Sequence, residues 1–270
     1  MSPRRFYNLL WLCCLLACRA AAQDTLVRTG KLPFASLSAW GETRPGQLLL
    51  VDERANLYLY DLQGQRLDEQ SLPVRLAVNE VHSRGGVQTL LFSLDTQQLF
   101  FIDRFLRLTR QLQIPFTFGN ITALAWAPDG SVRLWDSQSR RLLAWDMSAP
   151  EPQELYRAQE EFPAVTHMRF VQNYLLLTDE KTYVLFFDLL GNYIDKIYFR
   201  ESIDRVLLWQ EGYCLQEGNR LRGWRLPDRQ AVFDVRFHEN EKGRIGKILC
   251  LYPAFLSWNG THLQFWQLKK

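Results

Sequence analysis

The residues of this chain that could act as acids, bases or metal ligands are few and far apart. It contains four histidines, and none shares a His-x-His or His-Glu-x-x-His spacing that would place two imidazoles on one metal ion. A Gly-x-Ser-x-Gly nucleophile motif and a cysteine in a reactive context are also absent. The sequence therefore predicts no catalytic residue, no cofactor-binding residue and no metal ligand. The histidines are His82, His167, His238 and His262.

Acidic residues offer two further hypotheses. The pair Glu160–Glu161 falls in a loop between Arg157 and Pro163, and we interpret it as a solvated charge run rather than an acid–base pair. Recurring aspartates raise the question of calcium, but they occur one per turn without a clustered calcium loop. Backbone capping by Asp in tight turns explains most of them. These residues are Asp52, Asp61, Asp95, Asp103, Asp136, Asp146, Asp179 and Asp188.

The first 22 residues have the order of a secretory signal peptide. Basic Arg4 and Arg5 precede the apolar run Leu9–Ala17, and Ala20–Ala22 offers small residues for cleavage before Gln23. The run is shorter than the roughly 18–20 residues that span a bilayer. A second interpretation is a lipobox that ends at Cys18, which would be acylated and anchor the chain. The sequence therefore predicts an exported protein that is periplasmic, outer-membrane-associated or extracellular.

Charge and cysteine content exclude other classes. Lys and Arg number 32 against 29 Asp and Glu, and Arg4, Arg5 and Arg19 of the leader supply the excess. A balanced remainder argues against a nucleic-acid partner, which needs a basic surplus on one face. Outside the leader only Cys214 and Cys250 remain, and they could be bonded to each other or be unpaired and buried.

A repeated strand pattern positions all of these residues. In Leu175–Ile197 the runs Leu175–Thr178, Tyr183–Phe187 and Asn192–Ile197 read as three consecutive antiparallel strands. The middle run has five counterparts at intervals of about 40 residues, each flanked by further short strands. An aromatic residue or Ile stands one position before the end of each copy, and we predict that these side chains pack between repeats. They are Tyr60, Ile102, Trp145, Phe187, Trp224 and Trp266.

Four strands per unit of this length are typical of a β-propeller. The last unit ends after its third strand, whereas the segment Thr25–Pro33 resembles the fourth strands of the first two units. We therefore predict an all-β fold, a six-bladed β-propeller with four antiparallel strands per blade, whose last blade is closed by the N-terminal strand. Residues 1–22 form the predicted signal peptide and residues 23–270 one propeller domain.

The innermost strand of each unit should line a central channel. His82 and His167 fall on or near these strands, and we interpret them as polar residues in a water-filled channel where a site is not excluded. The residues that end the innermost strands are predicted to ring one mouth of the channel and form a candidate binding surface. They are Trp40, His82, Trp126, Phe170, Trp209 and Tyr252.

The strand pairs that end in Asp, the turn Asp188–Tyr193 and the leader that runs into Ala22-Gln23-Asp24 carry a resemblance. The chain resembles small secreted six-bladed propellers of Bacteroidota, related in architecture to NHL and TolB-like propellers. The resemblance spans the chain after the leader and rests on structural motifs. It implies the fold and an exported location, and it transfers no catalytic residues.

Three functions follow as hypotheses. The main one is a non-catalytic interaction or scaffold module of the cell envelope, with another envelope or secreted protein as partner, because no catalytic set is visible. One alternative is a binder of a small ligand or glycan at the aromatic channel mouth. The other is a metal-dependent hydrolase or lyase acting on a sugar or lactone, with its site in the central channel.

Overall fold

The computed structural model describes residues 25–159, 164–199, 203–237 and 246–269. These residues form 24 β-strands and one short 3-10 helix, Phe116–Phe118. The leader with Cys18, the pair Glu160–Glu161 and His238 lie outside the described residues. The described part is therefore an all-β structure, as predicted.

Sixteen of the strands form four separate four-stranded sheets. The first sheet contains β2 (Leu37–Arg44), β3 (Gln47–Asp52), β4 (Asn56–Asp61) and β5 (Arg66–Ser71). The second contains β6 (Glu80–Arg84), β7 (Gln88–Ser93), β8 (Gln98–Asp103) and β9 (Leu108–Gln113). The third contains β10 (Ile121–Trp126), β11 (Val132–Asp136), β12 (Arg141–Trp145) and β13 (Gln153–Arg157). The fourth contains β14 (His167–Val171), β15 (Tyr174–Thr178), β16 (Tyr183–Asp188) and β17 (Tyr193–Tyr198).

The remaining strands belong to one eight-stranded sheet rather than to two separate ones. It contains β18 (Arg205–Trp209), β19 (Gly212–Glu217), β20 (Arg220–Arg225), β21 (Gln230–Arg236), β1 (Thr25–Pro33), β24 (His262–Lys269), β23 (Ala254–Trp258) and β22 (Lys247–Leu251), in that spatial order. A single parallel pair, Thr25 with Arg236, connects β1 to β21. Strand β1 pairs antiparallel with β24 along its whole length, from Thr25 opposite Lys269 to Pro33 opposite His262.

Each four-stranded sheet is a meander because its strands follow one another in both sequence and space. Aspartates shape the tight turns: Asp188 Oδ1 accepts hydrogen bonds from the backbone N–H groups of Leu190 at 2.9 Å and Asn192 at 2.8 Å. Gly191 occupies the position of positive φ in this turn, a conformation that a side chain disfavours. Similar backbone contacts are made by Asp52, Asp61, Asp103, Asp136, Asp146 and Asp179, which supports capping rather than calcium binding.

The core lies between neighbouring sheets and divides into six apolar clusters. Each cluster combines residues of two neighbouring four-strand units, as Leu57 of β4 and Phe100 of β8 do in the cluster between the first two sheets. This arrangement explains why the central strands are buried on both faces. The residues predicted to pack between repeats fall one in each cluster; they are Tyr60, Ile102, Trp145, Phe187, Trp224 and Trp266.

Cys214 and Cys250 are both free and buried in the same cluster. Burial raises the pKa of the Cys214 thiol well above its usual value, and the hydrogen-bonding contact with Cys250 raises it further. Of the two alternatives left open by the sequence, the structure has the unpaired one. Among the described residues, no helix is long and apolar enough to cross a bilayer.

Candidate active site in the central channel

The first strand of each unit faces a common central cavity. Strands β2, β6, β10, β14, β18 and β22 contact their neighbours in that order around an axis. The cavity they enclose has a volume of about 570 Å³, which is in the range of small-molecule sites. Because side chains alternate along a strand, every second residue of these strands points into this channel.

Charged and titratable residues begin four of the six channel strands. Glu80, His167, Arg205 and Lys247 are the first residues of β6, β14, β18 and β22, so they share one end of the channel. All four line the cavity, together with Glu180 from the turn between β15 and β16. This end of the channel therefore combines two carboxyl groups, an imidazole and two cations.

The closest contact in the cluster joins Glu80 and His82. These residues are two positions apart on β6 and point to the same side, and His82 Nε2 lies 2.7 Å from Glu80 Oε2. The ring of His167 lies across from that of His82, with a centroid separation of 6.5 Å and an interplanar angle of 21°. The hydrogen-bonded pair Glu80 and His82 on β6 thus faces the imidazole of His167 on β14.

Burial sets the protonation of this group. Desolvation raises the pKa of the Glu80 carboxyl to about 8, and it lowers the pKa of His82 to about 3 and that of His167 to about 4. At neutral pH the Glu80 carboxyl group is therefore protonated and His82 is neutral, and the 2.7 Å contact is a hydrogen bond between two uncharged groups. Such a divergence of pKa values provides one group that can give a proton and another that can accept one.

Three cations accompany these residues. Arg169 lies two positions after His167 on the same side of β14, and burial lowers the pKa of its guanidinium. Arg169, Arg205 and Lys247 form no ion pair with any acidic side chain in the described ranges. The nearest acid to Arg169 in charge terms is Glu42, which instead accepts hydrogen bonds from the Gly46 N–H at 3.1 Å and from Gln210. The channel therefore holds three cations without a direct ion-pair partner in the described ranges.

Metal coordination does not fit the same residues. In the part of the chain that the structure describes, no three His, Cys, Asp or Glu side chains are grouped so that they could hold a metal ion. The groups that the described chain supplies for chemistry in the channel are the carboxyl, imidazole and cationic side chains named above.

The predicted ring of binding residues is divided between two environments. Trp40, His82, Trp126 and Phe170 line the channel cavity. Trp209 is buried in the cluster between the last two units, and the Tyr252 ring packs 5.7 Å from it. The binding role of the ring stays a prediction.

The residues that dominate the site share no sequence motif. Glu80, His167, Arg169, Arg205 and Lys247 come from four different units, so no local spacing relates them. One signal was present in the sequence: a charged or titratable residue lies within, begins or directly precedes four of the predicted innermost strands, where an aliphatic residue would suit a packed core. The other histidine of the described chain, His262, begins β24 away from the channel and contacts the Thr261 hydroxyl at 2.9 Å.

Comparison with known proteins gives structural neighbours and no sequence relatives. No protein-family model matches the chain, and no curated protein matches it. Virginiamycin B lyase from Staphylococcus aureus is similar at 11% identity and a TM-score of 0.57, over 88% of this chain and 82% of the other. A streptogramin B lyase is similar at 9% identity and a TM-score of 0.60, over 91% of this chain and 87% of the other. These likenesses support the β-propeller fold.

The neighbours correct two expectations from the sequence. Both are lyases, so the expectation of a non-catalytic scaffold and that of a chain without enzymatic activity are wrong, and the lyase alternative is the better supported hypothesis. The physical reason for the error is that a site assembled from separate strands leaves no motif along the chain. At this level of identity, structural similarity shows the fold alone and does not identify an activity.

Proposed function

We propose that this chain is a lyase whose active site is the acid–base cluster in the central channel. One observation carries the proposal: the Glu80–His82 contact of 2.7 Å faces the His167 ring inside a cavity of small-molecule size. The neighbouring structures, a virginiamycin B lyase and a streptogramin B lyase, support the reaction class. Of the sugar and lactone substrates that the sequence left open, a lactone suits an acid–base site because its carbonyl group activates the neighbouring C–H bond.

The residues of the site suit an elimination. His167 is neutral at pH 7 and has no hydrogen-bond partner among the described side chains, so its ring can accept a proton from a carbon next to a carbonyl group. The carbon–oxygen bond on the adjacent carbon then breaks, and an alkene forms. Glu80 gives its proton to the leaving oxygen. A proton returned from His167 to Glu80 restores both groups.

Arg169 has a role in the same reaction. Removal of the proton places negative charge on the carbonyl oxygen of the substrate. Arg169 is two residues after His167 on the same side of β14, so their Cα atoms are about 7 Å apart along the strand. A fixed cation in a low-dielectric site stabilises such charge more than water does.

The test is a turnover assay on the purified chain with a panel of esters and lactones that includes a streptogramin B compound. Elimination produces a conjugated alkene without a gain of water, whereas hydrolysis adds water, so absorbance and mass distinguish them. We expect His167→Gln and Glu80→Gln to reduce kcat about 10²–10⁴-fold, with His262→Gln as the matched control. Unchanged turnover in both channel variants would refute the proposal, and binding without turnover would favour the small-ligand or glycan alternative.

We also infer that the ring has six blades, the eight-stranded sheet being two blades joined at Thr25–Arg236. The six apolar clusters support this inference because each lies between a different pair of neighbouring four-strand units, and one connects β3 with β23. In this arrangement β1 is the outer strand of the last blade and closes the ring.

Export is the proposed location, and it rests on the order of Arg4, Arg5, Leu9–Ala17 and Ala20–Ala22. The propeller type indicated by the resemblance is consistent with it. N-terminal sequencing of the protein recovered from cell fractions tests the proposal. Gln23 as the first residue supports cleavage, an acylated Cys18 supports the lipid anchor, and an intact leader in the cytosol contradicts both.

A further inference from the structure

Arg205 and Lys247 are two cations for which the described ranges contain no direct ion-pair partner. They begin the neighbouring strands β18 and β22, and both line the channel. Burial and the charge of Arg205 lower the pKa of Lys247, whereas the charge of Glu180 raises it. Lys247 Nζ lies 5.8 Å from the centre of the Trp258 ring.

The acids around them form no direct ion pair with either cation in the described ranges. Glu180 is the acidic side chain that interacts with both cations, yet it forms no direct ion pair with either in the described ranges, and burial raises its pKa. Glu80 is protonated at neutral pH. The Glu42 carboxylate lies further along the channel and is hydrogen-bonded to Gly46 and Gln210. The two cations therefore lack a direct ion-pair partner at this end of the channel, and an anionic ligand would supply one.

An apolar strip begins beside the two cations. Leu207 and Leu249 are the next residues on the channel side of β18 and β22, and both line the cavity. Two residues along a strand correspond to about 7 Å. A ligand with one anionic end and a short apolar body would satisfy both features. Its anionic end would contact Arg205 and Lys247, and its body would lie against the two leucines.

We propose that the channel binds a small organic carboxylate, held by Arg205 and Lys247 and with its apolar part against Leu207 and Leu249. A role for the bound carboxylate in the reaction at Glu80 and His167 rests on the proposed function. Binding of the carboxylate by Arg205 and Lys247 does not depend on that function. His167 begins the strand next to β18, so a carboxylate seated at Arg205 would place the neighbouring carbons of the ligand near the proposed base. Carboxylates are suited to the site because a guanidinium and an ammonium both donate charged hydrogen bonds to them.

Calorimetric titration of the full chain with hexanoate tests the proposal, with hexanamide, hexylamine and inorganic phosphate as comparison ligands. We expect hexanoate to bind at least about tenfold more tightly than hexanamide and to bind more weakly as salt is raised. Hexylamine should not bind measurably. Phosphate should bind more weakly than hexanoate because it has no apolar body.

The matched variants are Arg205→Gln and Lys247→Gln, with the exposed Arg75→Gln as control. Each channel variant should weaken hexanoate binding about tenfold or more, and Arg75→Gln should leave it unchanged. Both channel variants should fold, since each relieves repulsion between the two cations, and thermal melting verifies this. A neutral amide bound as tightly as the carboxylate, phosphate bound as tightly as hexanoate, or unchanged binding in both variants would overturn the proposal.

The two proposals fail separately. Tight carboxylate binding with no turnover of any ester or lactone refutes the lyase and supports the binding site. Turnover of an ester or lactone together with hexanoate binding that is absent, or unchanged in both Arg205→Gln and Lys247→Gln, supports the lyase and refutes the carboxylate site.

Discussion

Glu80 Oε2 lies 2.7 Å from His82 Nε2 inside the channel, and at neutral pH the carboxyl group is protonated while the imidazole is neutral. This relationship inverts the usual one, in which a carboxylate stabilises a charged imidazole. It arises because burial penalises both charged forms and the neutral pair keeps a hydrogen bond without bearing charge. The same burial keeps a proton donor available at neutral pH, as a channel enzyme would require.

The stability of the protein should carry the signature of Glu80. Its pKa is raised from 4.5 to about 8 on folding, so its contribution to stability is fully present below about pH 4.5 and is lost as the pH rises towards 8. Glu80→Gln keeps the shape of the side chain and removes this loss. We expect the variant to gain stability over the parent as pH rises, by at most a few kcal/mol. Urea unfolding near pH 5 and pH 8 measures it, and a constant difference between the two would contradict it.

Turnover, if the proposed mechanism holds, should have a broad bell-shaped pH profile. Glu80 must be protonated, so kcat/KM should fall as the pH rises through about 8. His167 must be neutral, so kcat/KM should fall as the pH drops through about 4. The groups that face this pair are His82, Arg169 and Glu180, and they influence both limits. An activity limit near the ordinary histidine value of about 6.5 would contradict the assignment of His167.

Strand β1 should contribute strongly to the stability of the whole domain. Leu26 is buried in the cluster shared with Phe255 and Trp266, and β1 pairs with β24 along its length. We expect Leu26→Ala to cost about 2–4 kcal/mol, whereas the exposed Arg28→Ala on the same strand should change stability by less than about 0.5 kcal/mol. Chemical denaturation of both variants provides the measurement, and equal effects would argue against β1 as an integral strand.

The two cysteines should be inert in the folded protein. Cys214 and Cys250 are buried in one cluster, and burial raises the pKa of the Cys214 thiol, so little reactive thiolate exists. A thiol reagent should modify neither residue under native conditions and both after unfolding. Mass spectrometry after timed exposure gives the readout. Rapid native modification would show that this cluster opens, and Cys214→Ser and Cys250→Ser would identify which thiol reacts.

Neighbouring residues determined much of the fold. The runs around Asp179 and Asp188 were sufficient to predict β15, β16 and β17 within a residue or two, because turn chemistry and strand alternation act over short distances. The repeat then placed the other strands, and it identified Thr25–Pro33 as a strand that pairs with the last unit. The parallel contact that merges two units into one eight-stranded sheet was not predicted, since a single bridge leaves no pattern in the sequence.

The arrangement of the site residues was not predictable from the sequence. The sequence by itself determined that His82 and His167 belong to channel strands, because the period of the repeat carries that information. Only the tertiary structure decided that Glu80 lies against His82, that His167 faces them and that Arg205 and Lys247 share one end of the channel. The physical reason is that desolvation and charge pairing depend on the distances between strands of different units, and the closure of the ring sets those distances.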